Sequence, residues 1–124
     1  GVVWRGNPGH ANDRHRSMSA SDAERLLKLP GAVSLHPEDT KARDMADTAA
    51  IIDRLDAVIT VDTSVAHLAG ALGKRTLLML PARQPDWRWL ENRTDSPWYS
   101  SIRVVRQSRP GDWGAVIDDV TGLL

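Results

Sequence analysis

The sequence predicts one α/β domain over residues 1–124, with a doubly wound parallel sheet of about five strands in three layers. Three observations favour this class. Short apolar runs rich in valine, isoleucine and leucine alternate with longer segments of helical periodicity. Proline and glycine pairs separate several of these segments. Helices recur between successive strands, and such connections join parallel strands as right-handed crossovers.

The predicted elements follow one another in a β-α order along the chain. Ser19 or Ser21 is expected to cap the helix predicted at 20–29, and Thr63 or Ser64 the helix predicted at 65–72. Met45 is expected to face inward, and residues 38–43 are expected to form a charged, mobile connection. The elements are strand 1–4, helix 20–29, strand 32–35, helix 44–55, strand 57–61, helix 65–72, strand 76–80, a short helical turn within 81–90, strand 102–105 and helix 113–124. This order is that of a Rossmann-like domain.

The composition excludes several classes of protein. Sixteen basic and sixteen acidic residues cancel, so the net charge gives no reason to expect nucleic acid binding. The absence of cysteine excludes a disulfide framework and a cysteine nucleophile. No apolar run approaches the length of a membrane span, and no signal peptide is recognisable, so a cytoplasmic location is expected. The chain begins without methionine, directly in a strand-like run, which suggests a piece of a longer protein.

The segment 55–74 is the centre of the predicted site. Residues 57–61 form an apolar run typical of a strand buried on both faces, and a helix of small residues follows the turn 62–64. The unpaired amides and the positive end of the helix dipole then face outward at the carboxyl end of a strand. This arrangement favours an anionic ligand, and the alternative is a plain strand–helix connection without a ligand.

Two other loops follow strands and are expected at the same edge of the sheet. Loop 5–17 carries amide donors and the cation of Arg16, and loop 36–40 begins with His36. The alternatives are a solvated surface loop and a structural histidine. Because His67 lies in the first turn of the central helix, its ring is also expected within reach. The three loops together predict a site for an anionic, diphosphate-bearing ligand.

Three segments of the chain carry spaced patterns. Segment 61–73 contains D-T-x-x-x-H-x-A-x-A-L-G, loop 6–17 contains G-N-P-x-H-x-N-D-x-x-R-S, and segment 85–99 contains P-D-W-R-W-L and S-P-W-Y. The first pattern resembles the heptosyltransferase-like GT-B glycosyltransferases. The other two are similar to the glycosyltransferase domains that follow tetratricopeptide repeats in many bacterial proteins. The resemblance covers nearly all of the chain.

The resemblance implies an architecture of two Rossmann-like domains that face each other across a cleft. This chain corresponds to the carboxyl-terminal domain, which binds a nucleoside-diphosphate-sugar donor; a UDP-sugar is expected, with no metal or other cofactor. The amino-terminal domain, which is missing here, would supply the acceptor site and the catalytic base. The isolated domain is therefore expected to bind a donor without transferring its hexosyl, heptosyl or N-acetylglucosaminyl group. The resemblance leaves homo-oligomer formation open.

The resemblance also implies roles for individual residues. Arg16 would stabilise the negative charge on the leaving nucleoside diphosphate. Many such glycosyltransferases carry glutamine where this chain has His36. The implied diphosphate-binding residues are Thr63, Ser64, Val65, His67, Asn12 and Arg16; the loop-shaping residues are Gly6 and Asn7; the base- or ribose-binding residues are Leu35 and His36.

Two other functions compete with this interpretation. One is a non-catalytic nucleotide-binding or scaffolding module derived from a glycosyltransferase. The other is a Rossmann oxidoreductase domain, which is disfavoured because the first strand–helix turn lacks the G-x-G-x-x-G pattern. In addition, no ribose-binding acidic residue follows at the expected distance.

Overall fold

The computed structural model describes residues 1–6, 16–82, 94–96 and 98–124. The strands are β1 (Val2–Val3), β2 (Val58–Val61), β3 (Thr76–Leu80) and β4 (Ile102–Arg106). The helices are α1 (Ala20–Leu27), α2 (Pro37–Thr40), α3 (Met45–Asp53), α4 (Ser64–Ala71) and α5 (Trp113–Leu123). The four strands form one sheet in the order β1-β2-β3-β4, and all neighbours are parallel. The predicted α/β class is confirmed.

The predicted strand 32–35 forms only one parallel bridge, between Ser34 and Val2. The Val2 amide donates to the Val33 carbonyl at 2.8 Å, and the Leu35 amide donates to the Val2 carbonyl at 3.0 Å. The ladder stops there because the Trp4 amide donates to a side chain, Nε2 of His36, instead of to the next carbonyl. Segment 32–35 still lies beside β1, on the side away from β2.

The predicted mobile connection 38–43 is wrong at its start, because α2 occupies residues 37–40. Pro37 is the first helical residue, where its fixed φ angle suits a helix and its missing amide costs nothing. Glu38 and Asp39 lie in the first turn, where the helix dipole favours carboxylates. Lys41 ends the helix in a left-handed conformation with φ of 64°. The charges that suggested a loop are those of a helix start.

The helices form two groups. Helix α1 contacts α5, and Arg25 of α1 donates to a carboxylate oxygen of Asp118 on α5 at 2.6 Å. Helix α3 contacts α4, and Ala66 of α4 packs with Leu78 of β3. Because crossovers between parallel strands are right-handed, the two groups lie on opposite faces of the sheet. All residues of β2 and β3 are buried, as a sheet covered on both faces requires.

Side-chain oxygens cap α1 and α4 as the sequence predicts, and the structure selects among the alternatives. Ser19 caps α1 by accepting from the Asp22 amide at 3.2 Å, and Thr63 caps α4. Among the described residues, no helix has both the length and the apolar character needed to cross a membrane.

Candidate functional site

A groove of about 310 Å³ opens at the carboxyl edge of the sheet, between the ends of β1 and β2. From β1 the chain passes to segment 32–35 on one side and then crosses back to β2 on the other side. Open α/β sheets bind ligands at such a reversal of strand order. The residues that line the groove are Val3, Arg5, Gly6, Leu35, His36, Pro37, Glu38, Met45, Thr48, Thr63, Ser64 and Val65. The described residues of the three predicted loops therefore do meet at one edge.

The start of α4 forms one wall of the groove. Thr63 Oγ1 accepts from the Val65 amide at 3.3 Å, and the Thr63 carbonyl accepts from the Ala66 amide at 3.0 Å. Ser64 is exposed and is the first helical residue, where amides have no partner within the helix. The first turn contains no acidic residue. The positive end of this helix dipole therefore faces the groove without a carboxylate of its own helix to compensate it.

Arg16 lies next to this helix start. Its Nη1 donates to the carbonyl of Asp62 at 2.8 Å, which joins the loop after β1 to the end of β2. The Gly6 backbone lies against the Arg16 guanidinium so closely that a Cβ atom at Gly6 would collide with it. The Gly6 amide also donates to Ser17 Oγ at 2.9 Å. Glycine at this position therefore leaves the space that the guanidinium occupies, and the loop-shaping role of Gly6 stays a prediction.

His36 lines the groove, but one of its ring nitrogens accepts a hydrogen bond from the protein backbone. Its Nε2 accepts from the Trp4 amide at 3.3 Å, and the two rings meet edge to face with centroids 4.1 Å apart. The side chain is buried, and burial, followed by the charge of Arg5, lowers the pKa of His36 to about 4, although Asp39 acts in the opposite direction. The ring is neutral at pH 7, with its proton on Nδ1. The base or ribose contact of His36 and its buried neighbour Leu35 stays a prediction.

His67 does not line the groove. Its Nδ1 lies 3.3 Å from the hydroxyl of Tyr99, and the two rings meet at 66° with centroids 5.8 Å apart. Tyr99 packs over Gly70, where an added Cβ would lie 2.5 Å from Cγ of the tyrosine. The structure thus joins His67 to the segment before β4. Its diphosphate contact stays a prediction, as do the diphosphate contact of Asn12 and the loop-shaping role of Asn7, which both lie outside the described residues.

The groove also contains side chains that the sequence did not indicate. Arg5 and Glu38 form an ion pair at its edge, and the Arg5 guanidinium lies 5.5 Å from the centre of the Trp4 ring. The position of Arg5 directly after a strand was the available signal. Met45 was predicted to face the core but is 45% exposed and lines the groove, because it begins α3 at the same edge.

The described residues contain no group of three histidine, cysteine or acidic side chains placed to bind a metal ion. In the part of the chain that the structure describes, the positive groups at the groove are the guanidinium of Arg5 and the amino end of α4, with Arg16 beside that helix. The groove, lined by both apolar and polar groups, lies at a reversal of strand order, which is where open α/β sheets bind small molecules.

The family can be stated from a comparison with known proteins. The model of glycosyltransferase family 9 (heptosyltransferase) matches residues 14–109, which is more than half of the chain. The chain belongs to this family. The match includes Arg16, segment 35–38 and the start of α4, whereas Arg5 and Gly6 precede it. Neither a curated protein nor a solved structure matches the chain significantly.

Proposed function

We propose that this chain binds the nucleoside-diphosphate-sugar donor of a glycosyl transfer in the groove between β1 and β2. The observation that carries the proposal is the amino end of α4, which opens into the groove and has no carboxylate in its first turn. Helix starts of this kind bind phosphate through backbone amides and the helix dipole. Membership of a glycosyltransferase family supports a sugar donor as the source of that phosphate.

The diphosphate would lie at the start of α4, close to the amides of Ser64 and Val65 and to the hydroxyl of Thr63. Arg16, which is held beside this site by the Asp62 carbonyl, would add a full positive charge. The nucleoside would extend along the groove towards Leu35 and His36, with UDP as the expected nucleotide. In this arrangement the helix dipole and the guanidinium provide the positive charge, so no metal ion is required.

The same groups would assist the transfer of the sugar. When the bond between sugar and diphosphate breaks, negative charge grows on the leaving group, and donors already in place stabilise that charge. The acceptor site and the base would come from an amino-terminal domain outside this chain. The isolated chain would therefore bind the donor but not transfer a hexosyl, heptosyl or N-acetylglucosaminyl group.

Calorimetric titration with UDP, ADP, GDP and the corresponding nucleosides tests this proposal. At least one nucleoside diphosphate should bind more tightly than its nucleoside, and ligand at a hundred times its Kd should stabilise the fold by about 2.7 kcal/mol. A folded chain that binds none of the three diphosphates would contradict donor binding. Binding by the full-length protein without any sugar transfer would favour the non-catalytic module instead.

The variant Arg16→Gln tests the charge beside α4. It should weaken diphosphate binding about tenfold, because a charge-assisted hydrogen bond to phosphate is lost, and leave nucleoside binding within about twofold. Arg25→Gln is the matched control, since Arg25 forms its ion pair with Asp118 on the opposite face of the sheet. Thermal unfolding of both variants separates binding from stability, because Arg16 also bonds to the Asp62 carbonyl. Equal losses for diphosphate and nucleoside would mean that Arg16 does not contact phosphate.

A further inference from the structure

We propose that Arg5 is a second cation for the diphosphate, and that Glu38 is the internal anion that the diphosphate displaces from it. This inference rests on the proposed donor binding. It adds a residue that lies outside the family match, which begins at residue 14. Arg5 and Glu38 line the same groove as Ser64, so a ligand bound at the start of α4 would share the groove with both side chains.

The position of Arg5 is restricted by the strand that precedes it and by the ring of Trp4. The residue follows β1 directly, and its guanidinium lies 5.5 Å from the centre of the Trp4 ring, within the range of a cation–π interaction. The backbone amide of Trp4 in turn donates a hydrogen bond to Nε2 of His36. Arg5 therefore presents its charge at the groove without a large entropic cost on ligand binding.

The ion pair with Glu38 is of a kind that a phosphate can replace. The Arg5 and Glu38 side chains are 42% and 54% exposed, and ion pairs between exposed side chains contribute little to stability. A phosphate group offers more acceptor oxygens and more negative charge than one carboxylate, and the planar guanidinium can bind two of those oxygens at once. Replacing the Glu38 carboxylate by a phosphate on Arg5 therefore favours binding of the diphosphate. A neutral nucleoside cannot make this replacement, so its affinity does not benefit.

Glu38 then acts on affinity in the direction opposite to Arg5. Its carboxylate competes for the guanidinium and also repels an anion in the groove. It remains at the groove after displacement because it belongs to the first turn of α2, where the helix dipole favours it. The affinity of the site therefore depends on the charge of the ligand, so the pair favours a diphosphate over a nucleoside.

Calorimetry with UDP, ADP and GDP on Arg5→Gln, Glu38→Gln and the double variant tests the exchange. Arg5→Gln should weaken diphosphate binding about tenfold, and Glu38→Gln should tighten it about threefold. In the Arg5→Gln background the gain from Glu38→Gln should shrink, because no guanidinium is left to release. The matched controls are Arg25→Gln and Asp118→Asn, which remove an ion pair of similar exposure on α1 and α5.

The outcomes separate this inference from the proposed function. A wild-type chain that binds no diphosphate overturns both. Diphosphate binding that Arg5→Gln changes no more than Arg25→Gln overturns only the role of Arg5. Weaker binding in Glu38→Gln means that Glu38 holds Arg5 in place instead of competing for it, and overturns the exchange. An equal gain from Glu38→Gln with and without Arg5 reduces Glu38 to simple repulsion, which also overturns the exchange.

Discussion

Two of the helices that begin at the groove, α2 and α4, have first turns of opposite chemistry. Helix α2 starts with Pro37, which has no amide hydrogen, and carries two carboxylates in its first turn, Glu38 and Asp39. Helix α4 starts with Ser64, which retains its amide, and has no acidic residue in the equivalent turn. The positive end of α2 is thus compensated by its own side chains, and that of α4 is not. An anion in the groove should therefore bind at α4.

The residues that precede α2 and α4 differ in whether their side chains cap the helix. His36 precedes α2 without a side-chain capping bond, and its ring accepts the Trp4 amide instead. Thr63 precedes α4 and caps it with its hydroxyl group. Polar groups at the start of α2 are therefore used to hold the fold together. At the start of α4, the cap satisfies one amide and leaves the first helical amide facing the groove.

The largest effect is expected when α4 is given the chemistry of α2. Ser64→Glu places a carboxylate where the diphosphate should lie, so diphosphate affinity should fall about a hundredfold, equal to about 2.7 kcal/mol. The fold should not lose stability, because a carboxylate in the first turn interacts favourably with the helix dipole. Calorimetry and thermal unfolding measure the two quantities.

Ser64→Gln is the control for this change, since it adds a side chain of the same size without charge. Most of the loss of affinity should disappear in this variant. If both variants bind the diphosphate as tightly as the wild type, the anion site is not at α4, and the difference between the two helices has no role in binding.

The sequence was sufficient to predict the parts of this comparison that depend on local pattern. The buried run at 57–61 and the small residues after it predicted β2 and α4, because hydrophobicity and capping act between near neighbours. The choice between Thr63 and Ser64 as the cap needed the structure, since both carry a hydroxyl group.

The parts that the sequence did not predict depend on contacts between distant segments. Segment 32–35 stops after one bridge because His36 accepts the Trp4 amide, and these residues lie 32 positions apart. The ion pair of Arg5 and Glu38 likewise requires the ends of two segments to meet at one edge. Local propensity contains no information on such pairs, so both features became visible only in the assembled fold.

An intermediate effect, on the free energy of unfolding, is expected from the burial of His36. Its pH dependence tests whether the residue before α2 stabilises the fold. The folded chain binds a proton at His36 only below a pKa of about 4, whereas the unfolded chain binds it near 6.5. Between these values the unfolded state holds more protons, so the free energy of unfolding should fall as the pH falls from 6.5 to 4. The loss should be on the order of 2 kcal/mol, measured by denaturant unfolding at a series of pH values.

His36→Gln should flatten this part of the profile, because the glutamine oxygen can accept the Trp4 amide and does not titrate. An unchanged slope in His36→Gln would show that other groups cause the acid sensitivity, and that burial and the charge of Arg5 do not keep the ring of His36 neutral.

The smallest effect is expected from removing a single amide at the start of α4. Ser64→Pro deletes the donor that α2 already lacks at its own first position, and proline suits the first residue of a helix. Thr63, which precedes it, has φ of −139° and ψ of 175°, an extended conformation that a following proline tolerates. Stability should change by less than about 0.5 kcal/mol, while diphosphate affinity should fall about tenfold. Ser64→Ala, which removes only the hydroxyl group, should bind within about twofold of the wild type, and an equal loss in both variants would assign the contact to the hydroxyl instead of the amide.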